Sequence, residues 1–161
     1  MLHVSKFHRK KGISIIEVVV ASAIISLSML STAVVYGNLA TLSTENTAKV
    51  QASLLLEEGV EAIKVMRGEA WSNIASTTAG VNNYFVWSSN TWRGTTSPST
   101  IDGVFVRTFV VSPVYRDGTF NISTSGTNDP GTKKVDITVS WSSKGATSTR
   151  STSMYIFNLY E

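Results

Sequence analysis

The side chain in the most unusual chemical setting is the carboxylate of Glu17. It is the one charged residue between Ile13 and Thr44, in a run rich in Ile, Val, Leu and Ala. An acid at the centre of a membrane-spanning helix costs roughly 2.5–3.5 kcal/mol, and less near the membrane surface, so it usually has a partner or a function. A basic segment ending at Gly12 precedes it and contains Lys6, Arg9, Lys10 and Lys11. This pattern predicts a membrane-inserted helix whose basic end stays on the cytoplasmic side.

The segment around Gly12 resembles the processing site of type IV pilins and type II secretion pseudopilins. It reads Lys10-Lys11-Gly12-Ile13-Ser14-Ile15-Ile16-Glu17. In that family a basic leader ends in glycine, a membrane peptidase cuts after the glycine, and the fifth mature residue is glutamate. The resemblance implies that residues 1–12 are the leader, that cleavage follows Gly12, and that Ile13 becomes the N-methylated N-terminus. The family most often has Phe at the first mature position, where this chain has Ile13.

The resemblance also implies a function in assembly rather than catalysis. The chain would be a structural subunit, a minor pilin or pseudopilin, of a type IV pilus or of a type II secretion-like filament. The C-terminal strand from Lys134 to Trp141 and its hairpin return resemble minor pilins of the PilV and I-type pseudopilin kind. Its partners would be the prepilin peptidase, other pilin subunits, and the assembly platform with its ATPase. It would cross the inner membrane once with its head outside, and would reach the cell surface in a pilus or the periplasm in a pseudopilus. Glu17 would pair with the protonated α-amine of Ile13 on an adjacent subunit and so set the register of the filament.

Three other interpretations stay open. An ordinary secretory signal peptide would end near Ser31-Thr32-Ala33, but its apolar core would exceed the usual ~7–15 residues and would contain Glu17. A plain signal anchor fits the length, since about 20 apolar residues cross a bilayer, but leaves the spacing from Gly12 to Glu17 unexplained. A tip adhesin or DNA-uptake subunit would bind a ligand through its head. The basic residues of the head are scattered along the sequence, so no nucleic-acid partner is expected; they include Arg93, Arg107, Arg116, Lys133, Lys134 and Arg150.

The amino-acid composition limits the chemistry of the mature chain. Removing the leader takes away four of the 14 basic residues and leaves 10 against 11 acidic residues. The sequence has no cysteine, and its two histidines, His3 and His8, lie in the leader. The mature chain therefore lacks the residues of a His- or Cys-based catalytic or zinc site, and no enzyme activity, metal or cofactor is expected. Asp117, Asn128 and Asp129 are better explained as turn formers than as a calcium loop.

One long helix must carry Glu17 and connect it to the rest of the chain. The apolar pattern predicts this helix from Ile13 to about Gly68, with residues 13–36 spanning the membrane and residues 37–68 continuing as an amphipathic segment. The amphipathic segment has one face of mostly small residues, which a sheet could approach closely. That face consists of Ala48, Ala52, Leu55, Gly59, Ala62 and Met66.

Residues 69–161 are predicted to form an extracytoplasmic β-rich head. Strands are expected at 84–87, 104–111, 134–141 and 149–157, with loops at 90–103 and 117–131. Alternating residues from Val135 to Trp141 should share one face, and the last two strands should form a hairpin against the helix. At 161 residues, the chain has room for one modest domain beyond the helix. The expected fold is therefore α+β, a long N-terminal helix packed on a C-terminal antiparallel sheet.

Overall fold

The computed structural model describes residues 12–159. It contains two compact units, the first ending at Thr44 and the second beginning at Glu45. Helix α1 (Ile15–Glu69) belongs to both units. Its part up to Thr44 is the secondary structure of the first unit, and its part from Glu45 is the first element of the second unit. Both ends of this helix lie within two residues of their predicted positions. Except for Gly12, the predicted leader lies outside the described residues.

The second unit adds a short helix and a six-stranded antiparallel sheet. In chain order these elements are α2 (Ser72–Ala75), β1 (Asn83–Ser88), β2 (Thr91–Thr95), β3 (Phe105–Arg116), β4 (Ile122–Ser123), β5 (Thr127–Ser143) and β6 (Ala146–Phe157). The strand order is β2-β1-β3-β5-β6, and β4 pairs with β3. A long helix packed on an antiparallel sheet confirms the predicted α+β class.

The core of the second unit lies between one face of α1 and one face of the sheet. On the helix the buried residues are Ala52, Gly59, Ala62, Ile63 and Met66. On β5 the fully buried apolar residues are Val135, Ile137 and Val139, in the predicted alternation. They form two neighbouring clusters, one around Ile63 and Ile137 and the other around Ala52 and Trp141. The predicted packing of the small-residue helix face against the sheet is confirmed.

The hairpin formed by β5 and β6 closes at a tight turn. Ser143 pairs with Ala146, so the turn consists of Lys144 and Gly145. Both turn residues have positive φ, 51° and 78°. Positive φ at both central residues is the type I′ geometry, whose twist matches that of the strands. This turn sets the register that places Val135 opposite Met154.

Both predicted loops were partly wrong, because each contains a strand. Strand β2 lies within residues 90–103, while β4 and the start of β5 lie within residues 117–131. Strand β5 accommodates its proline through an irregularity: Pro113 of β3 pairs with Lys133, but the next residue, Val114, pairs with Asp129. Pro130 therefore falls within the irregular stretch, where proline does not remove a ladder hydrogen bond. Val104, predicted to begin a strand, is 52% exposed and precedes β3.

Candidate functional site

The predicted processing site lies just before the first turn of α1. Gly12, Ile13 and Ser14 are non-helical, and α1 begins at Ile15. All three residues are exposed, with Ile13 at 77%. A Cβ added to Gly12 would meet no atom within 4 Å. The backbone on both sides of the predicted cleavage site is therefore accessible in the described structure.

Glu17 caps the helix that it belongs to. The backbone N–H of Ser14 donates to Oε2 of Glu17 at 3.4 Å, and the carbonyl oxygen of Ser14 accepts from the N–H of Glu17 at 3.0 Å. A Ser followed three positions later by Glu is the pattern of a capping box, in which the acid satisfies an N-terminal backbone donor. The carboxylate also lies where the helix dipole favours negative charge. The structure therefore brings Glu17 to Ser14, a partner that the sequence analysis did not name.

The amine predicted to pair with Glu17 does not exist in the uncleaved chain. The nitrogen of Ile13 is still joined to Gly12 by a peptide bond, so it carries no positive charge. In the described chain Glu17 accepts from Ser14. An amine at Ile13 would become available only after the predicted cleavage, so the predicted ion pair would require that cleavage and the cap does not.

The helix that follows Glu17 is apolar and exposed. Its most apolar stretch has a mean hydropathy of 2.3, and none of that stretch is buried. Its hydroxyl groups donate back to the helix backbone, for example Ser26 to the carbonyl oxygen of Ser22 and Ser28 to that of Ile24, both at 2.8 Å. Such internal bonds satisfy polar groups that water cannot reach in a bilayer. By length and composition the helix could be a membrane anchor or a signal.

Sequence analysis missed the functional potential of Arg107. This residue lies on β3 between Phe105 and Phe109, on the side that faces the core, and its side chain is 4% exposed. Nη1 donates to the carbonyl oxygen of Leu55 at 2.9 Å and lies 2.9 Å from Oε2 of Glu58. The detectable signal was the alternation in β3, which places a cation at a position otherwise occupied by buried apolar residues.

Aromatic rings and an open space surround the Arg107 guanidinium. Its central carbon lies 4.9 Å from the ring centroid of Phe85 and 5.3 Å from that of Trp92, within the range of cation–π attraction. A cavity of about 230 Å³ adjoins it. Glu58, Phe85, Trp92, Ser99, Ile101 and Arg107 line this cavity. The cavity lined by these six residues is called the Arg107 cavity below.

The acidic residues considered for calcium binding make other contacts. Oδ1 of Asp117 accepts from the backbone N–H groups of Thr119 and Asn121 at 2.8 and 2.9 Å, as expected of a turn former. Oδ2 of Asp129 accepts from Thr132 at 2.7 Å and from Arg116 at 2.8 Å. These two contacts, the Thr132 hydrogen bond foremost, hold the pKa of the Asp129 carboxyl below its usual range. Within residues 12–159 no group of three or more His, Cys, Asp or Glu residues could hold a metal ion.

Comparisons of the chain with models of known protein families, with curated proteins and with solved structures found no match. Two features of the chain itself bear on its function. The first is the N-terminal segment from Gly12 to Glu17 with the apolar helix behind it. The second is the Arg107 cavity in the second unit.

Proposed function

We propose that this protein is a structural subunit of a pilin-type filament, synthesised with a leader that is removed after Gly12. The observation that carries the proposal is the position of Glu17. It is the only charge in a long apolar segment, and it lies in the first turn of an exposed helix, five residues after an accessible glycine. A signal peptide or a plain anchor requires neither the glycine nor the acid.

Glu17 would act first as a cap and then as an assembly contact. Cleavage after Gly12 would create a protonated amine at Ile13. In a filament the apolar helices would pack together, and a carboxylate or an ammonium left unpaired there would be costly. Pairing Glu17 with the amine of a neighbouring subunit removes both costs at once. Only one axial register of the two helices allows this pairing. The acid therefore selects the register, while burial of the apolar surface stabilises the packed helices.

The decisive experiment separates the cap from the charge. Glutamine at position 17 retains an acceptor for the N–H of Ser14, since Glu and Gln both serve in capping boxes, but it carries no charge. Glu17→Gln should therefore insert and be cleaved like the wild type, yet be absent from sheared filaments. Breaking a buried ion pair from one side costs about 3–5 kcal/mol, which is large for a docking step repeated at each subunit. Glu17→Leu removes the cap as well, and Glu57→Gln, further along the same helix, is the matched control.

Two readouts are needed. Mass analysis of the membrane-bound protein should give an N-terminus at Ile13, and quantification of sheared filaments should show Glu57→Gln at wild-type level and Glu17→Gln depleted. An N-terminus at Val34 would indicate ordinary signal peptidase and exclude the proposal. Glu17→Gln present in filaments at wild-type level would show that the acid has no role in register.

A further inference from the structure

The Arg107 cavity has the features of a small binding site rather than of a packing defect. Its walls combine two aromatic rings, one aliphatic side chain, one hydroxyl, one cation and one anion. The usual composition of a ligand site is a mostly apolar lining with a few convergent polar groups. Its volume of about 230 Å³ lies below the roughly 300–1,000 Å³ of sites for drug-sized ligands. A ligand held within it would therefore have few heavy atoms.

The polar groups of the cavity are incompletely used. Nε of Arg107 is buried and has no hydrogen-bond acceptor anywhere in the described part of the chain. Its guanidinium is anchored through Nη1, which contacts Leu55 and Glu58. Glu58 uses Oε2 for this contact, and its side chain is 47% exposed, so its carboxylate reaches the rim. A guanidinium in a cavity wall is suited to a carboxylate, and a half-exposed carboxylate is suited to an ammonium.

We propose that the Arg107 cavity binds a free α-amino acid with an apolar side chain. The ligand carboxylate would accept from the Arg107 guanidinium, and its ammonium would donate to Oε1 of Glu58. Its side chain would contact the rings of Phe85 and Trp92 and the aliphatic side chain of Ile101. A simple anion would be repelled by Glu58, and a simple cation by Arg107. A zwitterion is the small ligand that complements both charges.

The two opposite charges of the cavity also favour a free amino acid over the end of a peptide. A C-terminal residue presents a carboxylate without an adjacent ammonium, and an N-terminal residue presents the reverse. Neither would satisfy Arg107 and Glu58 together. The inference is independent of filament assembly, because binding is measured on the purified chain and requires no other subunit.

The test uses the full-length protein in detergent micelles and titration calorimetry. The probe is L-leucine, with 4-methylpentanoate, which lacks the ammonium, and 3-methylbutylamine, which lacks the carboxylate, as matched analogues. L-leucine should bind at millimolar or lower concentration, and each analogue should bind at least about 10-fold more weakly, as expected for loss of a charge-assisted hydrogen bond. On binding, the side-chain N–H signal of Arg107 should shift in the NMR spectrum of the protein.

Variants then assign the two charges. Glu58→Gln should weaken L-leucine binding by about 10-fold or more and should abolish the preference for L-leucine over 4-methylpentanoate. The control Glu57→Gln, on the same helix outside the cavity, should change neither the affinity nor the preference. Arg107→Met should abolish binding; if it does not fold, the Glu58→Gln comparison decides. The proposal is overturned if L-leucine gives no heat at millimolar concentration, if Glu58→Gln keeps the wild-type preference, or if a tripeptide ending in leucine binds as tightly as L-leucine.

Discussion

Gly59 is a position at which α1 packs directly against the sheet, and replacing it tests the packing of the second unit. A Cβ added to Gly59 would lie 3.1 Å from Cγ2 of Ile137 and 3.3 Å from Cδ of Arg107. Phe85 contributes a third contact at 3.7 Å. Gly68, in the last turn of the same helix, would meet nothing within 4 Å. The two glycines therefore differ in surroundings, although both belong to α1.

The magnitude follows from two opposing effects. Replacing a helical glycine by alanine or leucine favours folding by up to about 1 kcal/mol at either site, because glycine has the greater freedom in the unfolded chain. At Gly59, a leucine side chain must also displace Ile137 and Arg107, and overpacking of this kind costs about 1–3 kcal/mol. The helix-propensity contribution largely cancels between the sites, so Gly59→Leu should be about 1–3 kcal/mol less stable than Gly68→Leu. Gly59→Ala should fall close to the wild type, within about 1 kcal/mol.

The assay is urea denaturation of a fragment that begins at Glu45, with unfolding monitored by near-ultraviolet circular dichroism. Unchanged denaturant slopes would show that the free energy of unfolding, rather than the compactness of the unfolded chain, has changed. If the two leucine variants unfold with free energies equal within about 0.5 kcal/mol, the helix does not pack on the sheet at Gly59. The reasoning about the core and about the Arg107 cavity beside it would then be wrong.

Two further predictions concern the same unit. A fragment of residues 69–161 should unfold at lower urea than one of residues 45–161, because it lacks Ile63 and Met66, which are fully buried and together contribute about 3–6 kcal/mol; equal midpoints would contradict the packing. The lowered pKa of Asp129 means that its share of the stability is complete above its unfolded-state pKa, ordinarily 3.8, and is lost as the pH falls through the lower folded-state pKa. Urea midpoints measured at pH 7 and at about pH 3 should therefore differ less for Asp129→Asn than for the wild type, and identical pH dependence would exclude this contribution.

The helix and the central strand were predictable because local pattern and tertiary role agree in them. The apolar run from Ile13, the small-residue face and the glycine at 68 mark α1, and alternation from Val135 to Trp141 marks β5. Strand β2 was missed because Gly94 interrupts its pattern. A Cβ on Gly94 would lie 2.8 Å from Cζ of Phe109, so glycine is required there by a residue of another strand. That requirement is tertiary, and the local sequence of β2 does not reveal it.

The start of β5 was missed for a related reason. The local sequence Asp129-Pro130-Gly131 is typical of a turn, but β3 pairs with this part of β5 through a register shift between Pro113 and Val114. The turn before it requires Gly126, which has φ of 128°, and a Cβ there would lie 2.2 Å from the carbonyl oxygen of Arg116. Strand-breaking residues are thus accommodated at an irregularity that only the pairing of two long strands defines.

Of the two candidate sites, one could be predicted from local sequence and the other depends on tertiary packing. Gly12, Ile13 and Glu17 could be selected from sequence because their spacing is local, and the cap by Ser14 could have been read from the Ser-x-x-Glu pattern as well. The Arg107 cavity could not, since its residues come from α1, three strands and a loop, and only the packing of the helix on the sheet brings Glu58 to the others. One of these residues is nevertheless recognisable in the local sequence pattern. Arg107 interrupts an alternation of buried apolar residues in β3.

That interruption calls for an explanation beyond stability. Burying a guanidinium costs several kcal/mol, and an ion pair often recovers this only in part, so that a well-packed apolar residue at such a position is frequently no less stable. Here the compensation is incomplete, because Glu58 is half-exposed and Nε of Arg107 has no acceptor among residues 12–159. An unsatisfied buried donor costs about 1–3 kcal/mol. Core packing alone therefore gives no reason for arginine at this position, whereas a cavity ligand that accepts from the guanidinium would.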